Sequence, residues 1–239
     1  MGECKCNLER LTHTYARRHR NASSKGGNRL EELILIRHGE AEHILTGTAG
    51  GWTDTKLTER GKFEAEQTGQ RLSQLLGDKK FNFYCSDLQR ASQTADIIGR
   101  ILNRTPIVKT ALRELNNGIA ANKTKDEAKL LRLPKTEPIL DWVPFPDGES
   151  WTMMYDRVVA CMHEIVNDPH PLTILVTHAN TAAAIIQWWL ELPREVMSRT
   201  FFDIEPCSIT FLNINSWNEK TITKLNDTCH LGNSELVRR

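Results

Sequence analysis

The 239-residue chain has no apolar run long enough for the core of a signal peptide or for a membrane span. It also has little net charge, +1 at neutral pH, which gives no support for nucleic-acid binding. Its six cysteines, Cys4, Cys6, Cys85, Cys161, Cys207 and Cys229, follow no framework spacing, so a disulfide-stapled scaffold is excluded and a reducing compartment fits. Matches such as Asn21-Ala22-Ser23 then carry no meaning as glycosylation sites. The start, Met1-Gly2-Glu3-Cys4-Lys5-Cys6, lacks the Ser or Thr that acylation favours at the sixth position. These absences lead us to expect a cytoplasmic protein that contacts neither membrane nor nucleic acid, and they leave its oligomeric state open.

What charge there is lies unevenly. Residues 1–30 carry Lys5, Arg10, Arg17, Arg18, Arg20, Lys25 and Arg29 against Glu3 and Glu9, and end in Ser23-Ser24-Lys25-Gly26-Gly27-Asn28. This composition reads as a basic, flexible extension, although Leu8, Leu11 and Tyr15 share helical spacing. Residues 31–239 then read as one domain, within the size range of α/β folds with a large core.

The most informative feature is Arg37-His38-Gly39 directly after Leu33-Ile34-Leu35-Ile36. Four apolar residues bounded by charge suit a strand buried on both faces, and the glycine allows a sharp turn. Arg37 and His38 therefore stand at a strand's carboxyl end, the edge where α/β sheets bind ligands. A second run, Leu172-Thr173-Ile174-Leu175-Val176-Thr177, ends on His178 and is followed by a helix-like stretch beginning Ala179-Asn180. If these strands are neighbours, the two imidazoles converge and the first amides of the helix face an anion. A third strand, residues 81–85, leads into a helix with Ser86 or Asp87 as its cap, placing Arg90 in the first turn. Two guanidiniums and two imidazoles at one edge fit a phosphate ester, with His38 as a neutral nucleophile.

Two rival chemistries are weaker. Cys85 and Arg90 have four residues between them, one short of the cradle a cysteine-dependent phosphatase builds. His38, Glu40, Glu42 and His43 lack the spacing of a helix-borne zinc pair, and His43 reads as a surface histidine. No metal or other cofactor is expected.

The ordered motifs Arg37-His38-Gly39-Glu40, Gly51-Trp52-Thr53-Asp54, Leu57-Thr58-Glu59-Arg60-Gly61, Ser86-Asp87-Leu88-Gln89-Arg90-Ala91, Arg113-Glu114-Leu115, Gly148-Glu149-Ser150 and Thr177-His178 resemble those of the histidine phosphatase superfamily, the phosphoglycerate mutase-like group, over residues 33–226. The resemblance implies a doubly wound α/β fold with a mostly parallel sheet and helices on both faces. It implies His38, Glu114 and His178 as catalytic residues and Arg37, Arg90 and His178 as phosphate ligands. Glu114 matches the family's proton donor. Gly51, Thr46, Glu149 and Asn180 are further candidates for the pocket.

The chain also departs from the pattern. Ile44 stands where many relatives have asparagine, so one phosphate contact is missing or supplied elsewhere, with Thr46 and Thr48 as nearby candidates, and Ala179 stands where many have glycine. The mutases carry a longer basic signature after the acid, which residues 116–124 do not resemble. The expected activity is therefore a metal-independent phosphomonoesterase of the histidine acid phosphatase type. It would act through a phosphohistidine on a small phosphorylated metabolite. The alternatives are a phosphoglycerate mutase-type phosphotransferase and a phosphate-binding module without turnover.

Elsewhere, Thr58 is expected to cap a helix ending at Gly77, and Ser150 another running to Val166. Residues 115–147, with many Lys, Leu and Pro, are expected to form a cap over the pocket, with Trp142, Phe145 and Trp151 as candidate linings. Residues 207–213 and 220–225 alternate like a hairpin at the sheet edge.

Overall fold

The structure, a computed structural model, describes residues 30–232. Residues 1–29 of the basic leader, with its helical spacing and Cys4 and Cys6, lie outside the described residues, while Leu30, the last residue of that leader, is buried in the core.

The first apolar run forms β1, Glu32–Arg37, which feeds both sides of the sheet. Ile34 and Ile36 pack on one face and Leu33 and Leu35 on the other. A single turn, α1 (Glu42–Leu45), follows, then α2 (Glu59–Leu76), whose Thr58 cap accepts from the Gly61 N–H. Gly77, at φ 53°, ends α2 as expected. Next come β2 (Asn82–Cys85), α3 (Gln89–Leu102) and the short β3 (Ile107–Val108). The stretch from 115 to 147 contains only 3-10 turns and α4 (Lys125–Leu130), which opens on a reciprocal Thr124/Glu127 capping box. Ser150 caps α5 (Trp151–Ile165), which precedes β4 (Leu172–Thr177) and α6 (Ala179–Trp189). The hairpin of β5 (Ile209–Ile214) and β6 (Lys220–Asp227) closes the domain.

The strands lie in the order β3-β2-β4-β1-β5-β6. The first four are parallel, and β5 and β6 add an antiparallel edge. Leu72 and Leu76 of α2 and Ala91, Ala95 and Ile98 of α3 cover one face of this mixed α/β sheet. Met154, Val158 and Met162 of α5 and Ile185, Ile186 and Trp189 of α6 cover the other. All six residues of β4 are buried, the pattern of a parallel strand covered on both sides.

This topology positions the chemistry. Strands β1 and β4 are parallel neighbours in register at Arg37 and Thr177, so His38 and His178 leave the sheet at the same edge. The His38 N–H donates to the Thr177 carbonyl at 2.9 Å. Gly39 packs against the start of α2, where a Cβ would fall 2.5 Å from the Gly61 carbonyl oxygen, so a larger residue there would push β1's end off the helix.

Candidate active site

The His38 ring is almost wholly buried and engaged at both nitrogens. Its Nδ1 lies 2.8 Å from the Gly39 carbonyl oxygen, which can only accept, so Nδ1 carries the proton. Nε2 is then a lone pair, and it accepts from Arg90 Nε at 3.1 Å. Burial first, then Arg90 and Arg37, drive the pKa well below 6.5. His38 is thus neutral, in one tautomer, with its Nε2 lone pair aimed at Arg90.

Arg90, 1% exposed, is aimed by a loop distant in sequence. Its two terminal nitrogens donate to the carbonyls of Thr53 and Gly51, each at 2.7 Å. Gly51 is needed for its backbone: it sits at φ +60°, and a Cβ there would meet the Asn117 carboxamide. Burial lowers the Arg90 pKa to about 10, which leaves the charge intact at neutral pH. The same loop completes α3. Neither Ser86 nor Asp87 caps that helix; its N-cap is Leu88, which has no side-chain cap, and Asp54 instead accepts from the Gln89 N–H at 2.7 Å. Ser86 accepts from Leu88, and Asp87 pairs with Arg113, which holds the Asp87 carboxyl below its ordinary range.

His178 is fully buried, its ring 5.1 Å from that of His38. Nε2 shares a 2.9 Å hydrogen bond with Ser86 Oγ, while Nδ1 has no partner among the described residues. Burial, Arg90, His38 and Arg37 lower its pKa well below 6.5. The protonated form expected from the sequence therefore needs the negative charge of a bound phosphate to offset those cations. Arg37 is likewise committed on one side: one terminal nitrogen donates to the Ile204 carbonyl at 2.5 Å, and Nε is buried without a partner among the described residues.

Glu114 follows a 3-10 turn (Thr110–Leu112) and is 8% exposed. One carboxyl oxygen accepts from Leu115 N–H at 2.8 Å and the other from Asn180 N–H at 3.2 Å. Burial raises its pKa, outweighing those two bonds and the pull of Arg90 and Arg37. Asn180 therefore serves the site through its backbone, and that amide of α6 is spent on Glu114.

The other candidates divide. Glu149 lies one step behind Glu114: it binds Arg157 through both oxygens at 2.8 Å, and Arg157 donates to the carbonyls of Ala111, Arg113 and Glu114. Thr46 is exposed and bonded to Thr48, not gathered into the cluster. Trp142 is buried under the Arg132 guanidinium, and Trp151 packs edge-on against Phe201. Cys85 is buried with its thiol pushed up to about 12, the opposite of an activated nucleophile.

One expectation is reversed. His43 is not a surface histidine: it is 8% exposed, its ring 6.1 Å from that of His38. Arg157 has no signal in the sequence, since nothing local there links it to Glu149. Among the described residues, no group of three or more His, Cys, Asp or Glu side chains is arranged to hold a metal ion. No helix among them is long and apolar enough to cross a membrane.

Known proteins match this picture. A family model described as histidine phosphatase superfamily (branch 1) matches residues 33–228. A 2,3-bisphosphoglycerate-dependent phosphoglycerate mutase of Bartonella henselae is 33% identical over 205 residues, covering 80% of this chain and 97% of that protein. An acid phosphatase of Mycobacterium tuberculosis is 30% identical over 178 residues, covering 72% and 82% respectively. Among solved structures, a phosphoserine phosphatase from Entamoeba histolytica in complex with 3-phosphoglyceric acid aligns with a TM-score of 0.66 at 26% identity. That match covers 84% of this chain and 98% of the other.

Proposed function

We propose, from the premise that this chain belongs to the histidine phosphatase superfamily, that it hydrolyses small phosphomonoesters through a phosphohistidine on His38. The observation that carries this is the pair of bonds that leave His38 neutral with its Nε2 lone pair beside Arg90. A neutral nitrogen approaches a phosphate dianion without charge repulsion, which an anionic nucleophile cannot do.

In the first step Nε2 attacks phosphorus, the P–O ester bond breaks, and the alkoxide takes the proton of Glu114. The raised pKa of Glu114 supports its holding that proton near neutrality. Arg37 and Arg90 neutralise the non-bridging oxygens, and His178 presents its unpartnered Nδ1 to them. In the second step Glu114 takes a proton from water, whose oxygen attacks phosphorus and releases phosphate and His38. The histidine acid phosphatase type agrees with these shifts, because a depressed His38 keeps its lone pair in mild acid while Glu114 keeps its proton.

Hydrolysis is favoured over transfer to a second sugar acid by the loop after Glu114. Residues 115–122 carry no charge, and two of their asparagines accept from backbone through Oδ1: Asn116 from Gly118 N–H and Asn117 from Trp52 N–H. Residues 115–147 we read as the cap that selects the leaving group, tied to the Thr46–Thr48 loop by Lys125 N–H to Gly47 carbonyl and Ala49 N–H to Lys123 carbonyl bonds. The mutase alternative rests on the Bartonella relative.

A panel of phosphomonoesters in EDTA, quenched in alkali, tests both points. We expect an acid-labile, alkali-stable phosphoenzyme and phosphate release at the same rate with or without 3-phosphoglycerate. A label on another side chain ends the phosphohistidine reading, and phosphoryl transfer outrunning phosphate release makes the enzyme a mutase.

A further inference from the structure

We propose that His43 is a third imidazole of the phosphate pocket, donating from Nε2 to a phosphoryl oxygen of the substrate and replacing the amide contact absent at Ile44. This rests on the assignment of the phosphate site to Arg37, His38, Arg90 and His178.

The first observation is an inverted burial pattern. Helix α1 spans Glu42–Leu45, and a single turn on a protein surface ordinarily hides its aliphatic side chains and exposes its polar ones. Here Ile44 is 36% and Leu45 66% exposed while His43 is 8% exposed. Two apolar side chains are left in water so that an imidazole can face inward. Local rules broken in this way are expected at functional or strained positions.

The second observation is where the ring lies. Its centroid is 6.1 Å from that of His38, which itself lies 5.1 Å from His178. Nδ1 is bonded to Thr55 Oγ1 at 2.8 Å, so Nε2 is the nitrogen left for a ligand. The Nε2 edge is bordered by Gly50, where a Cβ would touch Nε2 and Cδ2 at 3.5 Å; the glycine keeps that edge open.

The third observation is that the position is held. The His43 carbonyl accepts from Thr48 N–H at 3.1 Å. Thr53, whose carbonyl holds Arg90, donates through its hydroxyl to Ala49 and accepts from Asn122 N–H. The loop after His43 is therefore locked to the loop that aims Arg90 and to residues 122–125. Burial, Arg90, Arg37 and Lys125 favour a neutral ring, pushing its pKa to about 4. In the tautomer the proposal assigns, Nδ1 accepts from the Thr55 hydroxyl, and the neutral ring then carries its proton on Nε2 and donates it to the phosphoryl oxygen.

The test measures binding apart from turnover. In a His38→Ala background, the dissociation constant for inorganic phosphate is compared with that of His38→Ala carrying His43→Phe or His43→Gln. We expect His43→Phe to weaken phosphate binding on the order of tenfold to a hundredfold, as loss of a hydrogen bond to a charged group does. His43→Gln, whose amide nitrogen can replace Nε2, is expected to restore most of it. Nitrogen NMR of the parent protein gives a second readout that needs no substitution at 43. Saturating phosphate is expected to shift His43 Nε2 far more than Nδ1. Unchanged affinity in His43→Phe, or an unmoved Nε2, overturns the proposal. Failure of His38→Ala itself to bind phosphate, with the wild type also failing, instead overturns the phosphate site on which it rests.

Discussion

His38 and His178 end adjacent parallel strands with their rings 5.1 Å apart, and they are held in opposite ways. Both nitrogens of His38 are engaged, one by the Gly39 carbonyl and one by Arg90, so its tautomer and direction are set in advance. His178 is tied at Nε2 by Ser86 alone, and its buried Nδ1 has unmet bonding capacity. An unsatisfied buried polar atom costs stability, on the order of 1–3 kcal/mol, and such a cost persists where a ligand will satisfy it. One ring of this edge is thus fixed at both nitrogens, and its neighbour is fixed at one.

The sharpest way to break the comparison is to remove each ring in turn. His38→Ala should lower hydrolysis of an aryl phosphate by at least about a thousandfold and leave no trapped phosphoenzyme, as loss of a nucleophile does. His178→Ala should cost on the order of a hundredfold in kcat, the scale of one lost transition-state donor, and still form phosphohistidine. Equal losses, with no phosphoenzyme in either, would mean the two rings act as one unit. A gentler change is Ser86→Ala, which frees His178 Nε2 without touching His38. Turnover should fall by about tenfold or less, roughly the worth of one ordinary hydrogen bond, with phosphoenzyme formation unaltered in extent.

The smallest effect is on stability against pH. His38, His43, His178 and His230 all have pKa values depressed chiefly by burial. Below 6.5 the unfolded chain takes up protons that these buried rings refuse, so stability present above that pH is lost as pH falls. Glu114 and Glu64, with raised pKa values, act in the opposite sense: their contribution is present in acid and lost as pH rises. With more rings than carboxyls involved, the unliganded protein should have a lower unfolding midpoint at pH 5.5 than at pH 7. His178→Asn, lacking one ionisation, should flatten that decline by up to about 1.4 kcal/mol per pH unit. A slope identical to wild type would mean that His178 is not held neutral.

Much of this site can be read in the sequence because its carriers are local. The apolar runs before His38 and His178 are themselves the buried strands, and Arg90 sits in the first turn that follows a third. What escapes is what distant chain segments supply. The cap of α3 comes from Asp54, 35 residues before Gln89, while the polar residues nearest the helix are engaged elsewhere. Arg157 braces the Glu114 loop through three carbonyls, a role no spacing announces. The burial of His43 is hidden in the sequence because α1 is too short to show a period, and its aliphatic residues face outward.

The stretch from Gly51 to Asp54 both grips the Arg90 guanidinium and seals the start of the helix that carries it. A graft of that helix into a foreign scaffold would thus arrive with a frayed first turn and an arginine swinging freely. Moving this oriented guanidinium elsewhere would require transplanting both stretches together, since each is unfinished without the other.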